Sequence, residues 1–472
     1  MGAVDWFRVS SSFVKAQETD ATVASTRKKT SRFGRLRLHG SAMLNAKGLL
    51  QQTVVTKLYP IVTFRLSPVR CTSPFKRDEH VTVDECEPEK ELPVAGELDA
   101  KWLTTEAAEK FAQQVLCMVK DQSSTFQMTT EGCGGAYFLT VKAVKNATPM
   151  GIFKPRDEEY MAPKNPRGYV KENTVVGVTE HPVNKGFRVG NGALRERAAY
   201  LLDNAYGNFS GVPVTNLMVL SVNGEEKEGS MQRFVASQCS AEDMGTLKFA
   251  IPEVHKIGIL DVRLFNTDRH AGNILLSSRA NEQTFGMTPI DHGFCLPSYK
   301  QLDEPTFDWL QWPQAQFPFT CAELEHIASL DATRDAAVLR AVGIEEECVT
   351  TMRVCTALLK RGAEAGFSLF EIGSLLQRDG DFTSPSQLET VVEQAVMCVE
   401  KDMKMSEERN GMDFFDAIVA EASREAESMF EGLTKKKLVY EEDYEKQNQG
   451  KQKDNVALVV TIVEEKIKEP SC

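Results

Sequence analysis

The chain has 472 residues, of which 42% are hydrophobic and 26% are charged, proportions that suit a soluble globular protein with a sizeable core. Its formal net charge of −12 argues against a dedicated nucleic-acid-binding protein, which carries a basic face. Eleven cysteines without a C-x-x-C pair argue against a zinc ribbon and favour reduced thiols in the cytoplasm. We find no apolar run long enough to span a bilayer, so we expect no transmembrane segment.

The N-terminal part shows little sustained periodicity. Residues 78–97 are rich in charge and proline, which is typical of a linker. We therefore expect residues 1–100 to be an extension that is largely disordered or weakly structured.

The next part of the chain is rich in strand patterns. Apolar residues at helical spacing predict a helix over 104–120, and a glycine cluster precedes predicted strands at 136–142 and 151–154. An amphipathic helix follows at 192–206. Strands are predicted at 214–222 and 230–235, with Asn223-Gly224 as a hairpin signal in a connection longer than the tightest kind.

The second half is mostly helical. A helix over 251–266 runs into a polar loop at 267–272, and short strands are predicted at 273–277 and 287–290. Few proline or glycine breaks interrupt the helical pattern of 321–407. We expect residues 411–472 to be a helical extension, over 412–433, followed by a charged tail with one apolar run at 456–463.

Two polar loops beside the short strands carry the clearest chemical pattern. Asp268 and Asn273 stand five positions apart, the separation that protein kinases use between the Asp near the nucleophile and a magnesium-binding Asn. Asp291 follows an apolar run and precedes Gly293, where kinases place a second magnesium ligand. Hard oxygen ligands from separate loops suffice for magnesium, so Asn273 and Asp291 are the candidate metal ligands.

The residues around this pattern resemble a known family. Residues 257–273, IGILDVRLFNTDRHAGN, look like the catalytic segment of gamma-type phosphatidylinositol 4-kinases. Residues 194–203, LRERAAYLLD, resemble that family's N-lobe helix, and Trp309 with residues 312–315, WPQA, resembles the end of its activation segment. The similarity covers roughly residues 130–380. The chain is identified as a member of the phosphatidylinositol 3/4-kinase superfamily that resembles its type II-like and plant gamma-type 4-kinases.

The resemblance implies an α+β, two-lobed protein-kinase-like fold, with a strand-rich N-lobe and a helical C-lobe. It implies a catalytic domain over 101–410 that holds ATP and Mg2+ or Mn2+ between the lobes. Asp268 would position or deprotonate the acceptor hydroxyl, His270 would steady charge on the transferred phosphoryl group, and Lys154 would hold phosphate oxygens.

Further nucleotide-binding residues are implied in the N-lobe. Glu196 is the candidate ion-pair partner of Lys154, although flanking Arg195 and Arg197 leave a solvated helix face as the alternative. Backbone groups at Phe234 and Val235, in the linker between the lobes, would bind adenine. Backbone N–H groups of the glycine cluster could approach phosphates. That cluster consists of Gly132, Gly134 and Gly135.

The substrate stays open at this stage. Phosphatidylinositol in a membrane surface is the first expectation, which would place the protein in the cytoplasm and at the cytosolic face of membranes. Residues 293–318 hold one lysine, Lys300, against Asp303, Glu304 and Asp308, which suits a protein serine/threonine substrate better. A catalytically silent binding module is the third alternative. The missing positive charge could come from a loop with four basic residues, Lys164, Arg167, Lys171 and Lys185.

Overall fold

The computed structural model describes residues 102–448, apart from 131, 143–146, 280–283, 379–382 and 403–411. The predicted extension over 1–100 and the apolar run at 456–463 lie outside the described residues. Side chains are described as far as Lys437.

The N-lobe is built on an antiparallel sheet with the strand order β1-β2-β3-β5-β4. Helix α1 covers one face of the sheet and α2 lies toward the other lobe. The elements in chain order are α1 (Glu106–Lys120), β1 (Ser124–Met128), β2 (Tyr137–Val141), β3 (Gly151–Pro155), α2 (Gly192–Asn204), β4 (Thr215–Val222) and β5 (Glu225–Arg233).

Side chains of β2 and β3 alternate between the core and the cleft. Leu139 and Phe153 are fully buried and pack in one cluster with Phe111 of α1. Because successive side chains of a strand point to opposite faces, Ile152 and Lys154 lie on the other face of β3, toward the C-lobe. The strand pattern therefore presents Lys154 to the cleft between the lobes.

The predicted elements of the N-lobe are present, with three errors in the strands and their connections. The strand β1 was not predicted, because STFQM lacks a clear apolar alternation. The β4–β5 connection is the tightest kind, not a longer one, since Asn223 and Gly224 form a two-residue turn with φ of 54° and 91°. The strand β5 starts early because Lys227 is buried in ion pairs, of which the one to Glu158 measures 2.8 Å.

The helix α2 is buried on nearly all sides, so its predicted amphipathic character is wrong. Its charged residues Arg195, Glu196 and Arg197 are 1%, 2% and 7% exposed. The alternative of a solvated helix face for Glu196 is therefore also wrong.

The C-lobe combines small sheets with a helical bundle. One sheet has the order β6-β8-β9, and β7 pairs with β10 in parallel. The elements are β6 (Cys239–Ser240), α3 (Ile251–Leu264), β7 (Asp268–Arg269), β8 (Ile274–Ser278), β9 (Phe285–Pro289), β10 (Thr306–Phe307), α4 (Cys321–Ser329), α5 (Ala332–Val342), α6 (Glu346–Glu364), α7 (Leu369–Ser374), α8 (Gln387–Asp402) and α9 (Met412–Asn448). The predicted α+β, two-lobed architecture is confirmed.

The last helix belongs to the core of the C-lobe. Phe414, Ile418 and Phe430 of α9 are buried in the same cluster as residues of α3 and α6. The boundary predicted at residue 410 is thus too early for the core, and α9 runs further than the predicted 412–433. In the same lobe Trp309 and Trp312 are buried, so they pack in the core and do not face a membrane.

Candidate active site

Lys154 connects the two lobes. Its Nζ donates to Glu196 Oε1 on α2 at 2.6 Å and to Asp291 Oδ1 in the C-lobe at 2.9 Å. The ion pair predicted between Lys154 and Glu196 is therefore present. Lys154 lies near the end of β3, and the alternation of side chains along the strand directs its side chain into the cleft.

The charges of this triad stabilise one another. Burial opposes the charged form of Lys154, but the neighbouring Asp291 and Glu196 outweigh it and raise the pKa of the lysine. Burial also opposes ionisation of Glu196, and the charge of Lys154 outweighs it and lowers the pKa of Glu196. Lys154 is therefore a permanent cation at this point of the cleft.

Asp268 and Asn273 are joined within the catalytic loop, residues 267–273. The Asn273 Nδ2 donates to the backbone carbonyl of Asp268 at 3.0 Å. With its amide nitrogen engaged in the loop, Asn273 keeps its side-chain oxygen as a ligand for a cation. The loop is also tied to the end of β9, because the N–H of Ile290 donates to the carbonyl of Asn273 at 3.0 Å.

Asp291 has an unusual backbone conformation directly after β9. Its φ is 55°, in the left-handed region that non-glycine residues rarely occupy. Such conformations cost free energy and are held in place by the surrounding structure, often at functional sites. Here the conformation accompanies a carboxylate that contacts Lys154 across the cleft.

Asp268 is poised to exchange a proton near neutral pH. Burial, together with the nearby negative charges of Asp291 and Asp308, raises the pKa of Asp268 to about 7. A general base works best when its pKa is close to the operating pH. The charge of Asp291, which is separated from Asp268 in the sequence, is one cause of this shift.

His270 is held in one tautomer. Its Nδ1 accepts from the N–H of Gly272 at 3.1 Å, so the neutral ring carries its proton on Nε2. Burial lowers the pKa of His270, although Asp291 and Asp308 oppose this effect. The ring is therefore a neutral donor beside the carboxylates.

Two residues that sequence reasoning missed support the catalytic loop from below. Asp261 and Arg269 are both fully buried and form an ion pair with an Nε–Oδ1 distance of 3.0 Å. The Arg269 Nη1 donates to the carbonyls of Asn273 and Ile290, each at 2.7 Å. One signal was available, since Asp261 falls between apolar residues of α3, Leu260 and Val262, and a charge in such a run favours a buried partner.

Asp261 also gathers other parts of the C-lobe. Its carboxylate accepts from Asn266 Nδ2 at 3.0 Å and from Trp309 Nε1 at 3.1 Å. The start of the catalytic loop and the activation segment, residues 293–318, therefore share one buried acceptor. The catalytic loop has a second contact with the activation segment, because the N–H of Ala271 donates to the carboxylate of Asp308 at 2.7 Å.

The glycine cluster lies in the glycine-rich loop, residues 129–136, which joins β1 to β2. The N–H of Gly135 donates to the carbonyl of Glu158 at 2.8 Å, so this group is engaged within the protein and does not approach phosphates as predicted. A side chain at Gly135 would collide with Glu158, since a Cβ there would lie 2.8 Å from the Glu158 Cβ. Gly135 is required for packing, whereas Gly132 and Gly134 lie nearer the turn of the loop.

The linker between the lobes begins where β5 ends. Phe234 and Val235 lie just beyond Arg233, outside the observed strand, although the strand predicted over 230–235 included them. The N–H of Phe234 donates to the carbonyl of Met150 at 3.0 Å, so it is not directed at adenine as predicted. The ring of Phe234 contacts that of Phe138 on β2, with centroids 6.0 Å apart. Adenine binding by the other backbone groups of the linker, including those of Val235, stays a prediction.

His292 is fully buried behind the triad. Its Nδ1 lies 3.8 Å from Glu196 Oε2, beyond hydrogen-bond distance, and within the described part of the chain neither ring nitrogen has a hydrogen-bond partner. A side chain buried in this way packs in the interior beside Glu196.

The ligands available for a divalent cation are oxygens. The hydrogen bond from the N–H of Ile290 to the carbonyl of Asn273 joins the segments that carry Asn273 and Asp291. The described residues contain no cluster of three or more His, Cys, Asp or Glu that could hold a metal alone. Magnesium sites in kinases have this character, with one or two protein ligands completed by phosphates and water. The residues present therefore fit a magnesium or manganese ion that arrives with a nucleotide.

Most of the basic residues considered for a headgroup have other partners. Lys164 pairs with Asp157 and Glu225, and Lys185 pairs with Asp303. Lys300 pairs with Glu347, and Arg167 contacts the glycine-rich loop. The positive charge that Lys164, Arg167 and Lys185 were predicted to supply for a headgroup is thus largely neutralised or used within the protein.

The fold and the site have the organisation of a two-lobed kinase, with a cationic lysine, an amide side chain and two carboxylates on the segments that meet at the cleft. The family model described as phosphatidylinositol 3- and 4-kinase matches residues 132–372, just over half of the chain. The chain belongs to the phosphatidylinositol 3- and 4-kinase family.

Curated relatives carry the gamma-type name, which confirms the predicted resemblance. The chain is 44% identical over 280 residues to phosphatidylinositol 4-kinase gamma 4 of Oryza sativa subsp. japonica, which covers 57% of this chain and 48% of the relative. It is 41% identical over 286 residues to phosphatidylinositol 4-kinase gamma 4 of Arabidopsis thaliana, covering 57% and 49%. It is 39% identical over 321 residues to the gamma 7 enzyme of Arabidopsis thaliana, covering 61% and 47%. The chain spans about half the length of these relatives.

Proposed function

We propose that this chain transfers the γ-phosphoryl group of ATP to the 4-hydroxyl of phosphatidylinositol and yields phosphatidylinositol 4-phosphate. The observation that carries the proposal is the convergence of Lys154, Asp268, Asn273 and Asp291 in one cleft, through the contacts and electrostatic interactions given above. The names of the relatives support the choice of the lipid and of the ring position.

ATP would lie between the lobes. Ile152 and Phe138 lie on the cleft face of the sheet, beside Phe234 of the linker, and form an apolar surface for adenine. Lys154 would donate to phosphate oxygens, while Glu196 holds its ammonium group in place. Binding of phosphates thus uses a cation that is already oriented, which reduces the entropy lost on binding.

Asn273 and Asp291 would hold Mg2+ or Mn2+ through their side-chain oxygens. When bound, such an ion neutralises charge on the phosphates and helps to align them for transfer. Lys154 already contacts Asp291. The carboxylate that would bind the metal ion and the lysine that would bind phosphate are therefore next to each other before either ligand binds.

Asp268 would receive the proton of the acceptor hydroxyl. With a pKa of about 7, it can bind that proton as the oxygen attacks the γ-phosphorus and release it afterwards. His270 would donate its Nε2 proton in a hydrogen bond to an oxygen of the transferred group, since its Nδ1 is occupied by Gly272. These two side chains divide proton acceptance and charge stabilisation between them.

We propose that the enzyme works in the cytoplasm, peripherally at the cytosolic face of membranes. Among the described residues, no helix is both long and apolar enough to cross a bilayer. Access to phosphatidylinositol would therefore depend on surface contact.

A protein serine/threonine kinase is the second candidate. The favouring observation is the charge around the activation segment, where Lys185, Lys300 and Arg378 are paired with carboxylates. Glu304 and Asp308 leave this surface acidic, which suits a basic peptide better than an anionic headgroup.

The test offers both acceptors in parallel. Phosphatidylinositol vesicles and a general basic protein substrate receive labelled ATP with Mg2+ or Mn2+, and the lipid product is hydrolysed to identify the ring position. Label at the 4-position, absent with Asp268→Ala and Asp291→Ala, supports the proposal. Label only in protein supports the second candidate. Nucleotide binding without transfer to either acceptor would contradict both and leave a binding module.

A further inference from the structure

We propose that Arg167 is a positioning residue for the ATP phosphates, because it clamps the glycine-rich loop above the nucleotide. This inference rests on the proposed function, in that the loop is taken to cover bound ATP. Arg167 lies in the β3–α2 segment, residues 156–191, which contributes none of the residues Lys154, Asp268, Asn273 and Asp291. The proposal gives this segment a role in nucleotide binding.

The guanidinium group of Arg167 spans the glycine-rich loop. Its Nε donates to the carbonyl of Gly134 at 3.2 Å, its Nη1 to the carbonyl of Thr130 at 3.0 Å and its Nη2 to the carbonyl of Thr129 at 2.7 Å. These acceptors stand on both sides of the turn. One rigid, planar fork therefore fixes the separation of the two arms of the loop.

Asn165 completes the clamp. Its Nδ2 donates to the carbonyl of Cys133 at 2.8 Å, and its Oδ1 accepts from the N–H of Arg167 at 2.9 Å. Because a trans peptide directs a carbonyl and the following N–H to opposite sides, this contact turns the N–H of Gly134 away from Asn165. The loop thereby keeps a defined backbone orientation where a phosphate would approach.

The segment that carries the clamp is itself anchored to helix α2. The carboxylate of Glu159 accepts from the N–H groups of Gly190, Gly192 and Ala193 at 3.0–3.2 Å, where α2 begins. A carboxylate at a helix N-terminus satisfies unpaired donors and is favoured by the helix dipole. The base of the clamp is thus fixed to the helix that carries Glu196.

A second anchor connects the segment to the activation segment. The N–H of Ser298 donates to the carbonyl of Gly186 at 2.8 Å, and Gly186, with φ of 78°, packs too closely for a side chain. A Cβ at Gly186 would lie 2.9 Å from the carbonyl oxygen of Gln301. Arg167 therefore acts from a support that is held at both ends.

These contacts distinguish the clamp from the headgroup role considered in the sequence. All three nitrogens of the guanidinium group already donate to the loop, so an anionic lipid would have to displace them. Lys164 provides a matched control in the same segment, because its ion pairs lead to Asp157 and Glu225 and not to the loop.

The experiment compares Arg167→Met, Arg167→Lys and Lys164→Met with the wild-type chain. A fluorescent ATP analogue with Mg2+ gives the nucleotide Kd, hydrogen exchange of the peptide over 129–136 reports loop order, and thermal unfolding reports the fold. We expect both Arg167 variants to bind nucleotide about tenfold more weakly, because the loop must be ordered on binding. We expect faster exchange in the loop, an unchanged KM for phosphatidylinositol, and wild-type behaviour for Lys164→Met.

Wild-type nucleotide affinity in either Arg167 variant overturns the proposal. A raised KM for phosphatidylinositol with unchanged nucleotide affinity overturns it too, and assigns Arg167 to the acceptor. Affinity that is lost only because both Arg167 variants are unfolded at the assay temperature also counts against it, since it shows a role in folding. Failure of the proposed function can be told apart from failure of this proposal. If the wild-type chain binds nucleotide but transfers no phosphate to lipid, the nucleotide Kd and the hydrogen exchange of the loop still test the role of Arg167.

Discussion

Two groups of charged residues flank the catalytic loop, a buried group around Asp261 below it and the carboxylates of the cleft above it. They differ in whether the charges have partners. Below the loop, the buried carboxylate of Asp261 accepts from Arg269, Asn266 and Trp309. Above it, burial together with the negative charges of Asp291 and Asp308 raises the pKa of Asp268. The lower region uses charge to hold the loop, whereas the upper region concentrates negative charge for a cation, a nucleotide and a proton.

The difference separates stability from function within a few residues. A buried charge with a full set of partners is costly to disrupt, because removal of one partner leaves the other unpaired in a low-dielectric interior. Crowded carboxylates of the same sign instead destabilise the fold until a cation or a proton arrives. Substitutions on the two sides should therefore change stability in opposite directions.

The largest expected effect follows from Arg269→Met. This change leaves Asp261 buried without its cation and frees the carbonyls of Asn273 and Ile290. We expect the free energy of unfolding to fall by about 3–5 kcal/mol, and turnover to be lost because both cation-binding loops move. Chemical denaturation monitored by fluorescence measures the first effect.

Arg361→Met is the control for that change. Arg361 pairs with Glu364 at 3.2 Å and is 44% exposed, so its loss should cost less than about 1 kcal/mol. Equal destabilisation by the two substitutions would remove the distinction between the region below the loop and the protein surface.

The next effect concerns the lysine. Glu196→Gln keeps the size of the side chain but removes the charge that orients Lys154. Since a hydrogen bond to a charged group contributes about 1.5–3 kcal/mol, we expect kcat to fall by about 10- to 100-fold. Steady-state kinetics with varied ATP measure this, and Glu228→Gln, an exposed carboxylate of the N-lobe sheet, serves as the control. A Glu196→Gln enzyme with wild-type kcat would show that Asp291 alone positions the lysine.

The smallest effect is on the pH profile. Asp308→Asn can still accept from the N–H of Ala271 but no longer adds negative charge beside Asp268. The pKa of Asp268 should therefore fall, and the rise of kcat/KM with pH, expected near pH 7 in the wild-type enzyme, should move to lower pH. A shift to higher pH, or none, would mean that Asp308 does not act on the base through its charge.

Much of the fold could be predicted from local patterns. The apolar periodicity of α1, α2 and α3 placed these helices within a few residues of their observed ends. Errors arose where tertiary contacts overrule local preference. The polar start of β5 is a strand because Lys227 pairs with the buried carboxylate of Glu158. Glu196 of α2 is buried because Lys154 of β3 pairs with it.

The candidate site was predictable where spacing carries the chemistry. The sequence places Asp268 and Asn273 five positions apart in one loop and Asp291 directly after the next two short strands. This is the order of the corresponding residues in kinases, and the structure joins the two segments. The supporting residues were not predictable in the same way. Arg167 and Arg269 act on backbone carbonyls, and such acceptors leave no mark in the sequence.

The most direct test of the contrast is Asp268→Asn, measured for both activity and stability. The pKa of Asp268 is raised in the folded chain, so the protonated carboxyl stabilises the fold below about pH 4, and this contribution is lost as the pH rises through about 7. At pH 8 we predict that the variant transfers no phosphate, yet its free energy of unfolding is on the order of 4 kcal/mol higher than that of the wild-type chain. We also predict that this advantage grows between about pH 4 and pH 7 and then levels off. A variant that loses both activity and stability at pH 8, as Arg269→Met should, would contradict the account.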